Sequence, residues 1–136
     1  MRFRILSAAS VASAVTLAVG AALIAAPSAS AAESDCPSGQ ICLFKDYNYG
    51  GSMLWISRFG TSDSDLKREG FNDVASSVVN NASWSVRLYQ DVYFGGKYID
   101  VAPGQRIANL SSVPIYNADG SYFGVNTFND RISSTQ

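Results

Sequence analysis

Oxygen donors are concentrated in two six-residue stretches, Asn72-Asp73-Val74-Ala75-Ser76-Ser77 and Asn129-Asp130-Arg131-Ile132-Ser133-Ser134, each led in by a phenylalanine, Phe71 or Phe128. With that aromatic included, five of seven positions are identical between the copies. Asn, Asp and Ser side chains, with the bare carbonyls between them, present only hard oxygen, and a cation such as Ca²⁺ takes six to eight such ligands in flexible geometry. A single stretch of this kind reads more readily as a tight turn, because Asn, Asp and Ser fold back onto their own backbone. Two in register favour the ligand reading. Covalent and acid–base chemistry have less to work with. The chain has no histidine, Ser76 and Ser133 lack a base, and nothing aims the carboxylates of Asp91 and Asp100 at each other across a cleft. An enzyme is not expected.

The elements that must carry these stretches are duplicated as well. Upstream of the first lies Phe44-Lys45-Asp46-Tyr47-Asn48-Tyr49-Gly50-Gly51, and upstream of the second Tyr89-Gln90-Asp91-Val92-Tyr93-Phe94-Gly95-Gly96. Both read aromatic, four residues, aromatic, Gly, Gly. Aromatics five apart close over a tightly folded turn, and Gly51 and Gly96 are placed for backbone angles that a Cβ would penalise. Short β-rich segments bounded by Gly, Asn or Pro predict strands at 42–44, 52–56, 77–79, 85–89 and 97–101. No segment has a convincing helical period, although 65–69 has room for one turn. Eight to ten short strands predict an all-β sandwich of two four-stranded motifs, 41–83 and 84–136. Four strands are too few to bury a two-faced core alone, which is a physical reason for duplication.

Before this region, Arg2 and Arg4 precede an Ala-rich apolar run from Ile5 to Ala26, then Pro27 and Ala29-Ser30-Ala31, which reads as an export signal over 1–31 cleaved after Ala31. A membrane anchor competes, since the run is long enough to span, but Ala, Ser and Gly dilute it and Pro27 breaks it. The remaining 32–136, about 105 residues, is the size of one domain with one modest core, secreted, without membrane attachment and expected to be a monomer. It keeps eight of the ten Lys and Arg residues and all eleven acidic ones, a balance of about −3 with no basic patch, so nucleic acid is excluded as a partner. Cys36 and Cys42, with Pro37 and Gly39 between them, read as a disulfide in an oxidising compartment. Two thiols without histidine are too few for a closed zinc site.

These residues resemble the microbial βγ-crystallins over essentially all of 32–136. The Greek-key signature of that family, aromatic, four residues, aromatic, one residue, Gly, is met at Phe44 to Gly51 and at Tyr89 to Gly96. Its calcium signature, N/D, N/D, x, x, S/T, S, is met by NDVASS and NDRISS. The resemblance implies two Ca²⁺ ions in crossed loops. One site would join the Val74 carbonyl to the Ser133 hydroxyl and the other the Arg131 carbonyl to the Ser76 hydroxyl. Carbonyls of Lys45 and Gln90 and carboxylates of Asp73 and Asp130 would add to these. It further implies that Ser77 and Ser134 hydrogen-bond back to the hairpins, with Phe44, Tyr49, Gly51, Tyr89, Phe94 and Gly96, as structural residues, while Asn72 and Asn129 brace the loops. Charge compensation is incomplete, so dissociation constants of roughly 10⁻⁵ to 10⁻³ M are expected, with Arg131 weakening its own site slightly.

Two features depart from the simplest member. The loop follows the first aromatic by 28 residues in the first unit, Phe44 to Asn72, and by 40 in the second, Tyr89 to Asn129. The surplus falls in Pro114 to Val125, an added hairpin or loop whose Tyr116, Tyr122 and Phe123 either fill the sandwich end or meet a partner. The chain also stops two residues after Ser134, leaving a short last strand. The opening CPSGQICLF resembles secreted bacterial metalloprotease inhibitors of crystallin-like fold, which makes inhibition of an extracellular protease the alternative function. Those inhibitors carry a second disulfide that two cysteines cannot form. A killer-toxin-like antimicrobial protein is a third class, disfavoured by two intact calcium loops.

Overall fold

The computed structural model describes residues 30–56 and 62–136; the export signal read over 1–31 lies, up to residue 29, outside the described residues. Strand β1, Ile41–Phe44, is buried along its whole length. In a strand successive side chains face opposite ways. Here Ile41 and Leu43 enter the main core while Cys42 and Phe44 enter a second, smaller cluster on the outer face.

Beside β1 lie β2, Met53–Ile56, and β3, Ser77–Asn80, both antiparallel to it. The second unit repeats this with β4, Val86–Asp91, paired to β5, Gly95–Val101, and to the two-residue β9, Ser134–Thr135. Strand β6, Arg106–Ile107, comes from the second unit but pairs with β3 of the first, Val78 opposite Ile107. The reciprocal exchange is a bridge from Asp63 of the first unit to Thr135 of the second. Each unit thus lends an edge to the sheet of the other. The 65–69 segment is a run of turns, with Glu69 N donating to Leu66 O at 3.1 Å.

The inserted residues form a hairpin of β7, Val113–Tyr116, and β8, Tyr122–Asn126, which joins β5 through Tyr98 and Tyr116. The sheets therefore read β2-β1-β3-β6 and β8-β7-β5-β4-β9. Val113 and Ile115 reach the core, but Tyr122 and Phe123 remain exposed, so the hairpin widens a sheet and does not plug the sandwich end. The reason is position: β8 is the outermost strand of its sheet and none of its residues is buried, so neither of its faces lies over the core.

Between the sheets one core draws on both units, including Leu43, Leu66, Phe71 and Val78 from the first and Leu88, Ile99, Leu110, Phe128 and Ile132 from the second. The short last strand is well held, since Ser134 and Thr135 are fully buried and Gln136 exchanges both main-chain hydrogen bonds with Arg87 at 2.9 and 2.7 Å.

Candidate functional site

Each loop position has a separate physical task. Phe71 and Phe128 are core residues, and so are Ala75 and Ile132 at the fourth position, which anchors both ends of the loop beneath the surface. Between these anchors the second residue turns through positive φ, 54° at Asp73 and 52° at Asp130. Asp tolerates this region better than most residues with a Cβ. The turn carries each aspartate toward the other loop: Asp73 N donates to Ile132 O at 3.0 Å and Asp130 N to Ala75 O at 2.9 Å.

The side chains complete the crossing. Ser133 Oγ donates to Asp73 Oδ1 at 2.9 Å, and Ser76 Oγ to Asp130 Oδ1 at 3.4 Å. Asn72 Nδ2 donates to Asp73 Oδ2 at 2.7 Å and Asn129 Nδ2 to Asp130 Oδ2 at 2.9 Å, so the first residue of each loop braces the carboxylate of the second. Two carboxylates, two hydroxyls and the exposed loop carbonyls thus sit in one crossed pair of loops.

Two cavities flank this crossing. One of about 650 Å³ is lined by Gln90, Arg131 and Ser133, with Asn72, Asp91 and Val92. The other, about 290 Å³, is lined by Lys45, Val74 and Ser76, with Asp46. Asp73 and Asp130 line both. The eight residues expected to hold metal are therefore gathered around the two cavities. Val74 and Ser76 line the smaller, and Arg131 and Ser133 the larger. The carboxylates of Asp73 and Asp130 are common to both cavities, each held by the fifth-position serine of the opposite loop. Among the described residues no group of three or more His, Cys, Asp or Glu side chains is arranged to hold a metal ion. Carbonyls and hydroxyls would have to complete either shell, as Ca²⁺ permits.

The sixth loop residue faces away from both cavities and locks the hairpin. Ser77 Oγ donates to Asp46 O at 2.6 Å and accepts from Tyr49 N at 3.0 Å; Ser134 Oγ donates to Asp91 O at 2.6 Å and accepts from Phe94 N at 3.0 Å. The aromatic pairs close over these bonds, Phe44 to Tyr49 at 5.7 Å and Tyr89 to Phe94 at 5.8 Å between centroids. Within each turn two non-glycine residues take positive φ, Asn48 and Tyr49 in one and Tyr93 and Phe94 in the other. Burial raises the Tyr49 hydroxyl above its usual pKa of 10.0, with Glu33 adding to the effect.

Sequence reasoning gave no role to Asp46 and weighed Asp91 only as a catalytic carboxylate; they are the third residue of each hairpin. A Cβ on Gly51, which has φ +75°, would meet Asp46 Oδ2 at 2.6 Å, and one on Gly96 would collide with Asp91 Oδ2. The carboxylates fold over the glycines, which requires both the absent Cβ and the positive φ. The identical spacing Asp-x₄-Gly in the two hairpins was the available signal.

Cys36 and Cys42 are bridged with Cα atoms 5.8 Å apart. The bridge straps the N-terminal segment across the outer face of the first sheet, where Cys36 packs with Cys42, Phe44 and Val79.

Four similarities to known proteins bear on this arrangement. The profile described as peptidase inhibitor family I36 matches residues 29–101. A beta/gamma-crystallin of Ciona intestinalis is 40% identical over 68 residues, which span 49% of this chain and 75% of that protein. The solved beta gamma crystallin from Ciona intestinalis superposes with a TM-score of 0.55 at 33% identity, covering 72% of this chain and 98% of its own. A solved structure concerned with evolution of the eye lens βγ-crystallin domain fold gives a TM-score of 0.57 at 24% identity, covering 74% of this chain and 86% of its own, and shares the fold. Duplicated hairpins, exchanged edges, crossed loops and these matches agree: the chain is a βγ-crystallin homologue and belongs to peptidase inhibitor family I36.

Proposed function

We propose that the chain is an exported calcium-binding protein that takes two Ca²⁺ ions, one in each cavity beside the crossed loops. The supporting observation is the reciprocal placement of Asp73 and Asp130, each reaching the opposite loop beside cavities whose lining offers carboxylate, hydroxyl and carbonyl oxygens. The smaller cavity would use the Lys45 and Val74 carbonyls and the Ser76 hydroxyl. The larger would use the Gln90 and Arg131 carbonyls and the Ser133 hydroxyl. The two carboxylates lie between them. Neutral donors predominate, so affinity sits in the extracellular range. When bound, the ions would supply a bridge of positive charge between units that otherwise meet as two facing carboxylates, and ligation would add to stability by mass action. Export is supported by the oxidised Cys36–Cys42 pair. Residues 32–136 are read as one domain, with 41–83 and 84–136 its two motifs, and its role as binding, not catalysis.

Titration calorimetry of the 32–136 protein, with melting measured in calcium and in chelator, tests this. Two binding equivalents and a higher melting temperature in calcium are expected. Absence of both in millimolar calcium overturns the reading.

A second reading is favoured by the family match over residues 29–101: inhibition of an extracellular metallopeptidase. A thermolysin-type peptidase assayed with and without the protein tests it, and unchanged hydrolysis at a large molar excess counts against it.

A further inference from the structure

The two halves treat their outer faces differently. In the first sheet Cys42 and Trp55 are cross-strand partners, and the strap through Cys36 covers Cys42, Phe44 and Val79. Laying Phe44 on Tyr89 and Ser77 on Ser134 places Arg87 at the position of Cys42, Asp100 at that of Trp55 and Gln136 at that of Val79. Arg87 and Asp100 are indeed cross-strand partners in the second sheet. Among the described residues no strap reaches them. In its place is a cavity of about 330 Å³ lined by Ser85, Val86, Arg87, Tyr89, Asp100 and Gln136. The seat that the first half fills with its own disulfide-tied segment is left open by the described residues in the second half and lined with polar groups.

We propose that this cavity is a binding site for a neutral saccharide ring. Its charges cancel within the lining: Arg87 Nε and Nη2 donate to Asp100 Oδ1 and Oδ2 at 2.7 and 2.9 Å. An ionic ligand therefore finds no uncompensated partner, whether anion or cation. What remains is paired polarity. Arg87, which also hydrogen-bonds Tyr89, has five N–H groups and keeps some of them spare, Gln136 keeps its amide nitrogen while its Oε1 accepts from the Tyr89 hydroxyl at 3.0 Å, and each Asp100 oxygen keeps a lone pair. A donor beside an acceptor on a rigid strand pair is the complement of two adjacent hydroxyls, each of which gives one hydrogen bond and takes another.

The support is stiff. The Arg87 guanidinium lies 3.8 Å over the Tyr98 ring, and Tyr98 stacks on Tyr116 at 5.6 Å, so the side chain that presents the donor is held before ligand arrives. The volume suits a single ring, at the small end of ligand cavities. Val86 and Tyr89, the apolar residues of the lining, are themselves buried, which leaves too little apolar surface to cover the side chains of a peptide segment. A saccharide is therefore favoured over a peptide as occupant.

The test is an amide chemical-shift titration of the 32–136 protein, in chelator so that calcium plays no part. The probes are methyl glycosides of glucose, galactose, mannose and N-acetylglucosamine at millimolar concentration. At least one glycoside is expected to shift amides within 85–89 and at Asp100 in a saturable way. Asp100→Asn and Arg87→Gln, both at exposed positions, should each weaken that glycoside tenfold or more while leaving the melting temperature within a few degrees. Three results overturn the proposal: no saturable shift with any glycoside, shifts that survive both substitutions, or saturation of the same amides by a peptide copy of residues 31–36 when the glycosides leave them unmoved.

Discussion

Ser133 donates its hydroxyl to Asp73 from the opposite repeat at 2.9 Å, whereas the symmetry-related bond from Ser76 to Asp130 is stretched to 3.4 Å. The two crossings are built alike but are not equivalent. The cavity beside Ser133 is also the larger, and its third loop residue is Arg131 where the other has Val74.

The first expectation concerns those carboxylates. Asp73→Ala combined with Asp130→Ala removes an acidic ligand from both cavities, and calcium should then raise the melting temperature little or not at all. In the unaltered protein, calcium at a hundred times its dissociation constant should add about 2.7 kcal/mol per site. Melting by scanning calorimetry, with and without chelator, reads the difference. An undiminished calcium response in the double variant would exclude both aspartates as ligands.

Arg131 provides a finer test. Arg131 lines the larger cavity and not the smaller, so Arg131→Ala should tighten calcium at that site roughly threefold, in the manner of a partly screened charge. The other site should keep its affinity. A two-site calorimetric fit, at low and at raised salt, distinguishes this from a general loosening, because the gain should shrink as salt rises.

Ser77→Ala and Ser134→Ala should be costly although neither hydroxyl lines either cavity. Each hydroxyl is fully buried, donates once and accepts once, so its loss strands a carbonyl and an amide of the hairpin. A penalty of about 2 kcal/mol each follows from leaving buried groups unpaired. Urea unfolding in chelator measures it free of any effect on calcium. Gly51→Ala should cost at least as much, because positive φ and the 2.6 Å approach of Asp46 act together.

Reducing the Cys36–Cys42 bridge should release the strap over the first sheet and leave the main core intact. The closed loop is short, so the loss should be about 2 kcal/mol. Hydrogen exchange is expected to rise near Cys42 and Val79 and to stay low at Leu88 and Ile99. Equal acceleration in both sheets would show the strap to be part of the global folding unit.

Tyr49 should govern part of the alkaline limit. Its hydroxyl is raised above 10.0 by burial. The folded form therefore holds the proton more tightly than the unfolded one. Stability from this source is complete below pH 10.0 and is lost as pH rises through the folded pKa. Tyr49→Phe should flatten that decline, as followed by unfolding at a series of alkaline pH values.

The duplicated hairpins, the paired loops, the all-β class and the cysteine bridge were legible in the residues, because each rests on local chemistry that spacing exposes. Glycine where φ must be positive, aromatics five apart and serine beside aspartate depend on near neighbours in the chain. Even the inserted hairpin was marked by the difference between 28 and 40 residues in the two units. The task of Asp46 and Asp91 was written there too, in a spacing shared by both hairpins, but an aspartate beneath a glycine gives no sign until the turn is closed.

Which oxygen meets which was decided elsewhere. The strand exchange that seats β6 on β3 and Asp63 on Thr135 brings the loops together across a sequence distance of more than fifty residues. Residue types along one strand carry no record of that register. The grouping of Val74 with Ser76, the crossing of the carboxylates and the open seat at Arg87 and Asp100 all follow from how two similar sheets are laid on one core. That is set by the summed packing of both halves and not by either repeat alone.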